Sequence, residues 1–336
     1  MTLLGLLFAI LLTVCGTLTG PAREGQSIQK PGIRDVQTPF ASLQPTVTFK
    51  IGGTADWVLV TEDAVWVTGT KPYSLRRVDP QSNSMVAKVP LPGEACSGIE
   101  LGFKSVWVPI CGTHASLVKI SAVTNQITAT LPIAPGGAEG GIAVSDDGVW
   151  MITDRKGTLV KIDPTTNNVR QTVSVSAGSY NPVSAYGTIW VTGYETNLVT
   201  AVDASSGKVL ATIPVGPKPR FITSGAGSVW TLNQGDGTVS RIDGKSKTIT
   251  ATIEAGIPGE GGDICFGKDS VWASVFDVPL TRIDPTTNRI SRQWIGKGGD
   301  SLRFGHDSIW LTDYRRGLLW RIPSNQLSVP QAEQRP

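Results

Sequence analysis

The sequence has few of the residues on which most catalytic and metal sites depend. Its 336 residues include two histidines, three methionines and four cysteines, and only 17% of them are charged. His114 and His306 lie far apart in the chain, and no Gly-x-Ser-x-Gly motif or zinc-ligand spacing is present. The sequence therefore offers no recognisable nucleophile elbow, zinc site or pair of catalytic histidines.

The chain also has little net charge and no long hydrophobic run. The net charge is only +3 and is dispersed, so we expect neither nucleic acid nor an anionic membrane surface as a partner. The apolar stretch at residues 2–14 is too short for an ordinary membrane-spanning helix, and we interpret residues 1–22 as a signal peptide. The protein would then be periplasmic or extracellular. As an alternative, Leu12-Thr-Val-Cys15 resembles a lipobox, which would attach a lipid anchor at Cys15.

What the chain does contain is a repeat built around tryptophan. The segment Ser-Val-Trp or a close variant recurs seven times, at Trp66, Trp107, Trp150, Trp190, Trp230, Trp272 and Trp310. The successive gaps are 41, 43, 40, 40, 42 and 38 residues. A period of about 40 residues composed of short apolar runs and turns is typical of a four-stranded propeller blade. The sequence therefore predicts an all-β fold, a seven-bladed β-propeller.

The two ends of the repeat array indicate how the ring closes. The last repeat contains only three predicted strands, and an unassigned strand lies at residues 45–51, before the first repeat. We predict that this N-terminal segment is the outer strand of the seventh blade, which would leave no unpaired gap in the ring. The propeller would span residues 45–323. Residues 23–44 and 324–336 are rich in Pro, Gln and Ser and are predicted to be a disordered linker and a disordered tail.

Two cysteines are placed to form a disulfide bond. Cys96 precedes the first strand of blade two and Cys111 follows its second strand, so both thiols reach the same end of an antiparallel pair. Disulfides persist in oxidising compartments, which agrees with export. Cys265 lies within an inner strand and is interpreted as a buried apolar residue.

The top mouth of the channel, where the loops before first strands and after second strands meet, is where a ligand would bind. Counting from each repeat tryptophan gives the side chains at this mouth. The predicted ligand-binding residues are Trp57, Asp154, Asn181, Tyr194, Arg220, Asn233 and Tyr314. No cofactor is specified by a motif, but Asp263, Asp300 and Asp313 form a carboxylate group from neighbouring blades that would suit magnesium or calcium. The alternative is that all of these are solvated loop residues.

The blade sequences resemble a known family. Runs such as Gly-x-x-Ser-Val-Trp, the Ile-Asp-Pro-x-Thr-Asn hairpins and the segment Ile-Pro-Val-Gly-Pro at 213–217 resemble the streptogramin lyase (virginiamycin B lyase-like) propellers and the wider class of YVTN-repeat propellers. This resemblance implies a secreted seven-bladed propeller. In the lyases it also implies a magnesium-assisted site with a Glu in Trp-Phe-Thr-Glu and with histidines. Here no Trp-Phe-Thr-Glu occurs, and the family's Pro-His-x-Ile is Pro-Arg-Phe-Ile around Arg220.

These observations favour an exported, non-catalytic, monomeric propeller that binds a small molecule or a protein at its top face. The first alternative is a metal-assisted lyase or hydrolase in which Asp263, Asp300 and Asp313 hold the ion. The second is a structural interaction scaffold that uses the rims of its blades.

We predict that the streptogramin lyase reaction is absent, because the family's catalytic Glu and paired histidines are missing. Purified protein incubated with a streptogramin B and magnesium should open no ring above a buffer control. Turnover that disappears in Asp263→Asn or Asp300→Asn would contradict this prediction and favour the lyase.

Overall fold

The seven tryptophan repeats form seven antiparallel blades of four strands each, the last of which takes its fourth strand from the N-terminal side of the repeats, and the blades form a ring. The computed structural model describes residues 33–328. In chain order, the strands are β1 (Gln37–Pro39), β2 (Val47–Lys50), β3 (Ala55–Val60), β4 (Val65–Gly69), β5 (Ser74–Asp79), β6 (Ser84–Pro90), β7 (Glu100–Gly102), β8 (Ser105–Ile110), β9 (Ser116–Ser121), β10 (Ile127–Leu131), β11 (Ile142–Ser145), β12 (Gly148–Ile152), β13 (Thr158–Ile162), β14 (Val169–Ser174), β15 (Ser179–Ala185), β16 (Thr188–Gly193), β17 (Leu198–Asp203), β18 (Val209–Pro214), β19 (Pro219–Gly225), β20 (Ser228–Asn233), β21 (Thr238–Asp243), β22 (Ile249–Glu254), β23 (Asp263–Gly267), β24 (Ser270–Val275), β25 (Val278–Asp284), β26 (Arg289–Ile295), β27 (Leu302–Gly305), β28 (Ser308–Asp313) and β29 (Leu318–Pro323).

Blades one to six take four consecutive strands each, from β3–β6 to β23–β26, and the first strand of each lines the central channel. Blade seven takes β27, β28 and β29 from the inside outward, and its fourth strand is β2. Val47 pairs with Arg321 and Lys50 pairs with Leu318, both antiparallel. The seven-bladed propeller and its closure by an N-terminal outer strand are therefore confirmed. Short 3-10 helices lie at Arg34–Val36, Phe40–Ser42, Gly112–His114 and Ser324–Gln326.

The second strand of every blade is buried on both faces, because it lies between two strands of its own sheet and between two neighbouring sheets. Its tryptophan fills the space between blades. Most of these indoles donate their Nε1–H to the carbonyl oxygen five residues earlier, as Trp107 does to Gly102 at 3.1 Å and Trp310 to Gly305 at 3.2 Å. Burial of each ring removes a large apolar surface from water, and the hydrogen bond satisfies its polar atom.

A cation from the third strand lies over most of these tryptophans and reaches the next blade. The Arg241 guanidinium is 4.7 Å from the Trp230 ring centre, and its Nη1 donates to the Pro285 carbonyl at 2.6 Å and to Asn288 Oδ1 at 2.8 Å. Pro285 and Asn288 belong to the Asp-Pro-x-x-Asn hairpin of blade six. We call this arrangement the inter-blade clip. A cation–π contact and charge-assisted hydrogen bonds together contribute about 2 kcal/mol.

The same clip closes the ring between its last and first blades. Arg321 lies over Trp310 at 5.1 Å and donates to the Pro80 carbonyl at 2.5 Å and to Asn83 Oδ1 at 2.6 Å. Asn83 adopts a φ of 53°, a left-handed conformation that asparagine tolerates well. Blade four differs, since Ala201 pairs with Trp190 where the other blades have Arg or Lys, and Lys247 of blade five covers that ring at 6.0 Å instead.

The structure corrects the predicted linker for residues 33–44. Strand β1 runs parallel to the outer strand of blade six, with Gln37 opposite Gln293 and Pro39 opposite Ile295. The Phe40 ring lies 5.2 Å from the Trp320 ring, and Leu43 is buried in the same apolar cluster. Two apolar anchors in a polar segment are enough to dock it, and composition averaged over the segment does not reveal them.

The predicted disordered tail also begins too early. Residues 324–326 form a 3-10 helix, and Leu327 is buried while its carbonyl accepts a hydrogen bond from Arg282 at 3.0 Å. The predicted signal peptide and Cys15 lie outside the described residues. Within residues 33–328, no helix is long and apolar enough to cross a membrane.

The predicted disulfide is confirmed. Cys96 and Cys111 are bonded, with a Cα–Cα distance of 5.8 Å, and they tie the loop before the short strand β7 to the end of β8. Cys265 is a free, buried cysteine, and burial raises the pKa of its thiol to about 12. It is therefore suited to packing and not to thiolate chemistry.

Truncation from the N-terminus should distinguish how much β1 and β2 each contribute to stability. A chain that begins at residue 45 loses β1 and the burial of Phe40 and Leu43, so we expect its free energy of unfolding to fall by about 2–4 kcal/mol relative to a chain that begins at residue 33. A chain that begins at residue 53 also loses β2 and exposes the edge of β29, and we expect it to lose cooperative unfolding. Urea titration followed by tryptophan fluorescence measures both. Equal stability of the chains beginning at 33 and 53 would contradict the observed ring closure.

Candidate functional site

The channel on the propeller axis contains two cavities, and a pair of aromatic rings lies in the lower one. Trp57 of blade one and Phe221 of blade five have ring centroids 6.2 Å apart, and both are at least 97% buried. We call this pair the aromatic plug. Both rings line the lower cavity, of about 390 Å³, and neither lines the upper one. The plug therefore belongs to the lower cavity.

The upper cavity opens at the predicted top mouth and has a volume of about 630 Å³. This volume falls within the range of small-molecule sites in proteins. Its wall consists of loops that enter first strands or leave second strands, because these loops converge at the same end of the ring. Most of the lining side chains carry a charge or an aromatic ring: Glu139, Tyr194, Lys218, Arg220, Glu260, Phe276, Asp300 and Tyr314.

One side of this cavity, formed by Tyr194, Lys218 and Arg220, is the basic wall. The Arg220 guanidinium lies 4.4 Å from the Tyr194 ring and 4.9 Å from the Tyr180 ring. Its Nε is buried and has no hydrogen-bond partner among residues 33–328. Asn181 braces the backbone here, since its Nδ2 donates to the carbonyls of Glu139 at 2.9 Å and Arg220 at 3.0 Å. Aromatic stacking thus holds the arginine in place, and its Nε–H has no acceptor within residues 33–328.

A second group of lining residues, Asp300, Tyr314 and Glu139, is the acidic wall. Glu139 lies where this wall meets the basic one, since Asn181 donates hydrogen bonds to the carbonyls of both Glu139 and Arg220. Asp300 is 7% exposed, and its Oδ1 accepts the backbone N–H of Gly262 at 2.8 Å. The pKa of Asp300 is raised to about 8, first by burial and then by the nearby carboxylates of Glu139, Asp263 and Asp313, against the lowering effect of the hydrogen bond from Gly262. Burial also raises the pKa of Glu139, which Arg220 partly offsets.

Asp56 lies behind this wall and was not among the predicted site residues. Its pKa is raised well above the usual range, first by burial and then by the charges of Asp300, Glu139, Glu94 and Asp263. The pKa of Tyr314 is raised by burial and by the same group of carboxylates. The upper part of the channel therefore concentrates acidic groups that oppose one another's ionisation.

The three aspartates predicted to hold a metal have three different partners. Asp263 forms an ion pair with Arg303 and accepts from Ser301 Oγ at 2.8 Å, on the lower-cavity side of the plug. Asp313 accepts from Arg316 Nε at 2.5 Å. Within the described part of the chain, no group of three or more His, Cys, Asp or Glu is arranged to hold a metal ion. Two of the three carboxylates are neutralised by arginine, so the donors do not fit one shared ion.

Other predicted residues have structural roles. Asp154 caps a turn, accepting the N–H of Lys156 at 2.9 Å and the hydroxyl of Thr158 at 2.7 Å. Asn233 is fully buried, and its Nδ2 donates to Thr238 Oγ1 and Ser240 Oγ at 2.9 Å each. Neither lines the upper cavity, whereas Tyr194, Arg220, Asp300 and Tyr314 do.

Glu139, Lys218, Gln234 and Glu260 line the upper cavity but were not predicted. Glu139, Lys218 and Glu260 lie in loops whose length varies between blades, so a fixed offset from the tryptophan does not find them. Gln234 is different, because it lies four residues after Trp230, the offset that relates Tyr194 to Trp190 and Tyr314 to Trp310. Asp56 likewise lies ten residues before Trp66, the offset that relates Arg220 to Trp230 and Asp300 to Trp310. A single strict offset would have identified it.

Comparison with known proteins supports the fold and no more. No family model matches the chain, and no curated protein matches it either. Many solved structures share the fold. One is BamB from Moraxella catarrhalis, which is 11% identical with a TM-score of 0.60 over 84% of this chain and 97% of that chain. This protein is therefore a seven-bladed β-propeller, and its resemblance to the streptogramin lyases stays a prediction.

Replacing the buried acid should change the pH dependence of stability. Between about pH 4 and pH 8, folded Asp300 holds a proton that the unfolded chain has released, so the free energy of unfolding of the wild type falls as the pH rises. Asn keeps the Gly262 acceptor and does not titrate. As the pH rises from 4 to 8, the free energy of unfolding of Asp300→Asn should increase relative to that of the wild type. We expect this increase to be at least about 1.4 kcal/mol, the equivalent of one pKa unit.

Urea unfolding at several pH values measures this difference. Asp269→Asn, on an exposed turn at the bottom of blade six, is the matched control and should follow the wild type. If the free energies of unfolding of Asp300→Asn and the wild type differ by the same amount at every pH in this range, Asp300 titrates as an ordinary carboxyl.

Proposed function

We propose that this protein is an exported binding protein that takes a small polar organic ligand in the upper cavity. The observation that carries the proposal is the cavity itself, of about 630 Å³, which is bounded by an acidic and a basic wall. A site of this volume with a few converging polar groups and aromatic surfaces is typical of small-molecule recognition. Propeller blades with rigid, paired strands hold such groups in place before the ligand arrives, which lowers the entropic cost of binding.

Export is supported by the disulfide bond between Cys96 and Cys111, since such bonds persist in oxidising compartments. The apolar N-terminal segment agrees with it on sequence grounds. The BamB likeness supports only the propeller fold, because the identity of 11% is too low to carry more.

A second candidate, an acid–base enzyme of the lyase or hydrolase type, is favoured by one observation. Burial places the pKa of Asp300 at about 8, close to the operating pH that general acid–base catalysis requires. Buried, mutually perturbed carboxylates in a cleft are frequent in active sites. In this alternative Asp300 would transfer the proton, and Tyr314 and Arg220 would position the substrate.

A thermal-shift screen tests the proposal. Probes of four kinds, namely neutral sugars, amino acids, polyamines and dicarboxylates, are added separately to the wild type and to Tyr314→Ala. One kind should raise the melting temperature of the wild type by about 5 °C near saturation, and the shift should be largely lost in Tyr314→Ala. Tyr186→Ala, on the bottom face, is the matched control and should retain the shift.

A shift retained in Tyr314→Ala and lost in Tyr186→Ala would place binding outside the upper cavity and refute the proposal. Mass spectrometry of the probe recovered from the incubation separates the two candidates. An unchanged probe supports binding alone, whereas a product that Asp300→Asn no longer forms supports the enzyme.

A further inference from the structure

The acidic wall contains a buried carboxylate that no cation neutralises. Asp300 lines the upper cavity, and only 7% of its surface is exposed. One carboxylate oxygen accepts the Gly262 N–H, and the other accepts no hydrogen bond from any residue between 33 and 328. Removing an ionised carboxylate from water is costly unless it is paired, so the folded chain must supply either a proton or a cation at this point.

The nearby cations are occupied elsewhere. Arg303 pairs with Asp263, and Arg316 pairs with Asp313. Arg220 stacks on two tyrosines of the basic wall and partly offsets the raised pKa of Glu139. Arg315 lies over one face of the Phe276 ring, 4.6 Å from its centre. In the described residues, no Lys or Arg forms an ion pair with Asp300, Glu139 or Asp56.

Aromatic surface lies next to this carboxylate. Tyr314 and Phe276 line the same cavity as Asp300, and Tyr194 lines it from the basic wall. Aromatic faces attract ammonium and guanidinium groups, and they also pack against the hydrocarbon part of such molecules. Carboxylate and aromatic surface together are the usual recognition elements for an organic cation.

We propose, building on the proposed function, that the upper cavity recognises the ammonium or guanidinium group of an organic ligand. Asp300 and Glu139 bind this group. The apolar part of the ligand lies against Tyr314 and Phe276. An organic cation is favoured over a metal ion because Asp263 and Asp313 are already paired with arginines and no metal-holding group exists in residues 33–328.

Binding should be linked to proton release. The titratable and charged groups that face Asp300 are Asp56, Glu94, Glu139, Asp263, Asp313, Tyr314 and the paired Arg303 and Arg316. The carboxylates among them favour the protonated form of Asp300 in the empty site. A cation must displace that proton, so its affinity rises with pH up to the titration of Asp300 near pH 8.

Three probes of one shape and three charges test this inference on the full chain. They are benzylammonium, benzyl alcohol and benzoate, measured by isothermal titration calorimetry at pH 6 and pH 8. We expect benzylammonium to bind at least about tenfold more tightly than either of the others, and its affinity to rise by on the order of tenfold per pH unit, as release of one proton requires.

Two variants and one control assign the effect to the acidic wall. Asp300→Asn keeps the hydrogen bond with Gly262 and should weaken benzylammonium binding at pH 8 by at least about tenfold. Glu139→Gln should weaken it as well, while Asp269→Asn should leave it unchanged. Far-ultraviolet circular dichroism checks that each variant is folded.

The amide signals of Gly261 and Gly262, followed by NMR, separate the two proposals. If benzoate or benzyl alcohol shifts these signals at least as readily as benzylammonium does, the cation inference is overturned and the binding function stands. If none of the three probes shifts them, the cation inference is overturned, and the thermal-shift screen described above decides the binding function. If calcium chloride binds with the same dependence on Asp300 and benzylammonium does not bind, the site is a metal site and the inference is overturned.

Discussion

The inter-blade clip is the interaction on which the rest of the molecule depends. A buried tryptophan in one blade is covered by an arginine or lysine of the same blade, whose nitrogen atoms reach the hairpin of the next. Backbone hydrogen bonds join neighbouring blades at some points, as between the Gly98 N–H and the Gly140 carbonyl at 2.9 Å, but the strands of one blade do not pair with those of the next. Side chains therefore contribute much to fixing the angle between blades. In the clip, a cation packs on a tryptophan ring and also donates directional hydrogen bonds to the next blade. Arg321 forms the same clip between blades seven and one.

The ring geometry in turn creates the candidate site. Residues that are far apart in the chain, such as Asp56, Arg220 and Asp300, occupy equivalent positions at the top of their first strands. The channel brings these positions together regardless of the charge each carries. The acids of blades one, three and seven are buried at this mouth, and none of them forms an ion pair within residues 33–328, although Arg220 partly offsets the raised pKa of Glu139. The resulting cavity contains both acidic and basic groups, and the unpaired acid directs our proposals about its ligand.

Most of the fold could be predicted because its causes are local and repeated. The tryptophan period predicts seven blades, the missing fourth strand of the last repeat predicts the closure by β2, and the positions of Cys96 and Cys111 predict their bond. The prediction failed where one or two residues decide the outcome. Phe40, Leu43 and Leu327 dock segments whose average composition indicates disorder, because burial of a single large side chain outweighs the polar residues around it.

The sequence by itself determined the architecture and the register, and with them part of the mouth, including Tyr194, Arg220, Asp300 and Tyr314. Only the tertiary structure decided what those residues can do. Asp263, Asp300 and Asp313 were predicted to act as one group, yet Arg303 and Arg316 neutralise two of them and leave Asp300 buried without a cation. Likewise, Trp57 was predicted to contact a ligand but packs against Phe221 in the lower cavity. Burial and pairing depend on side chains from distant blades, and no local pattern in the chain records them.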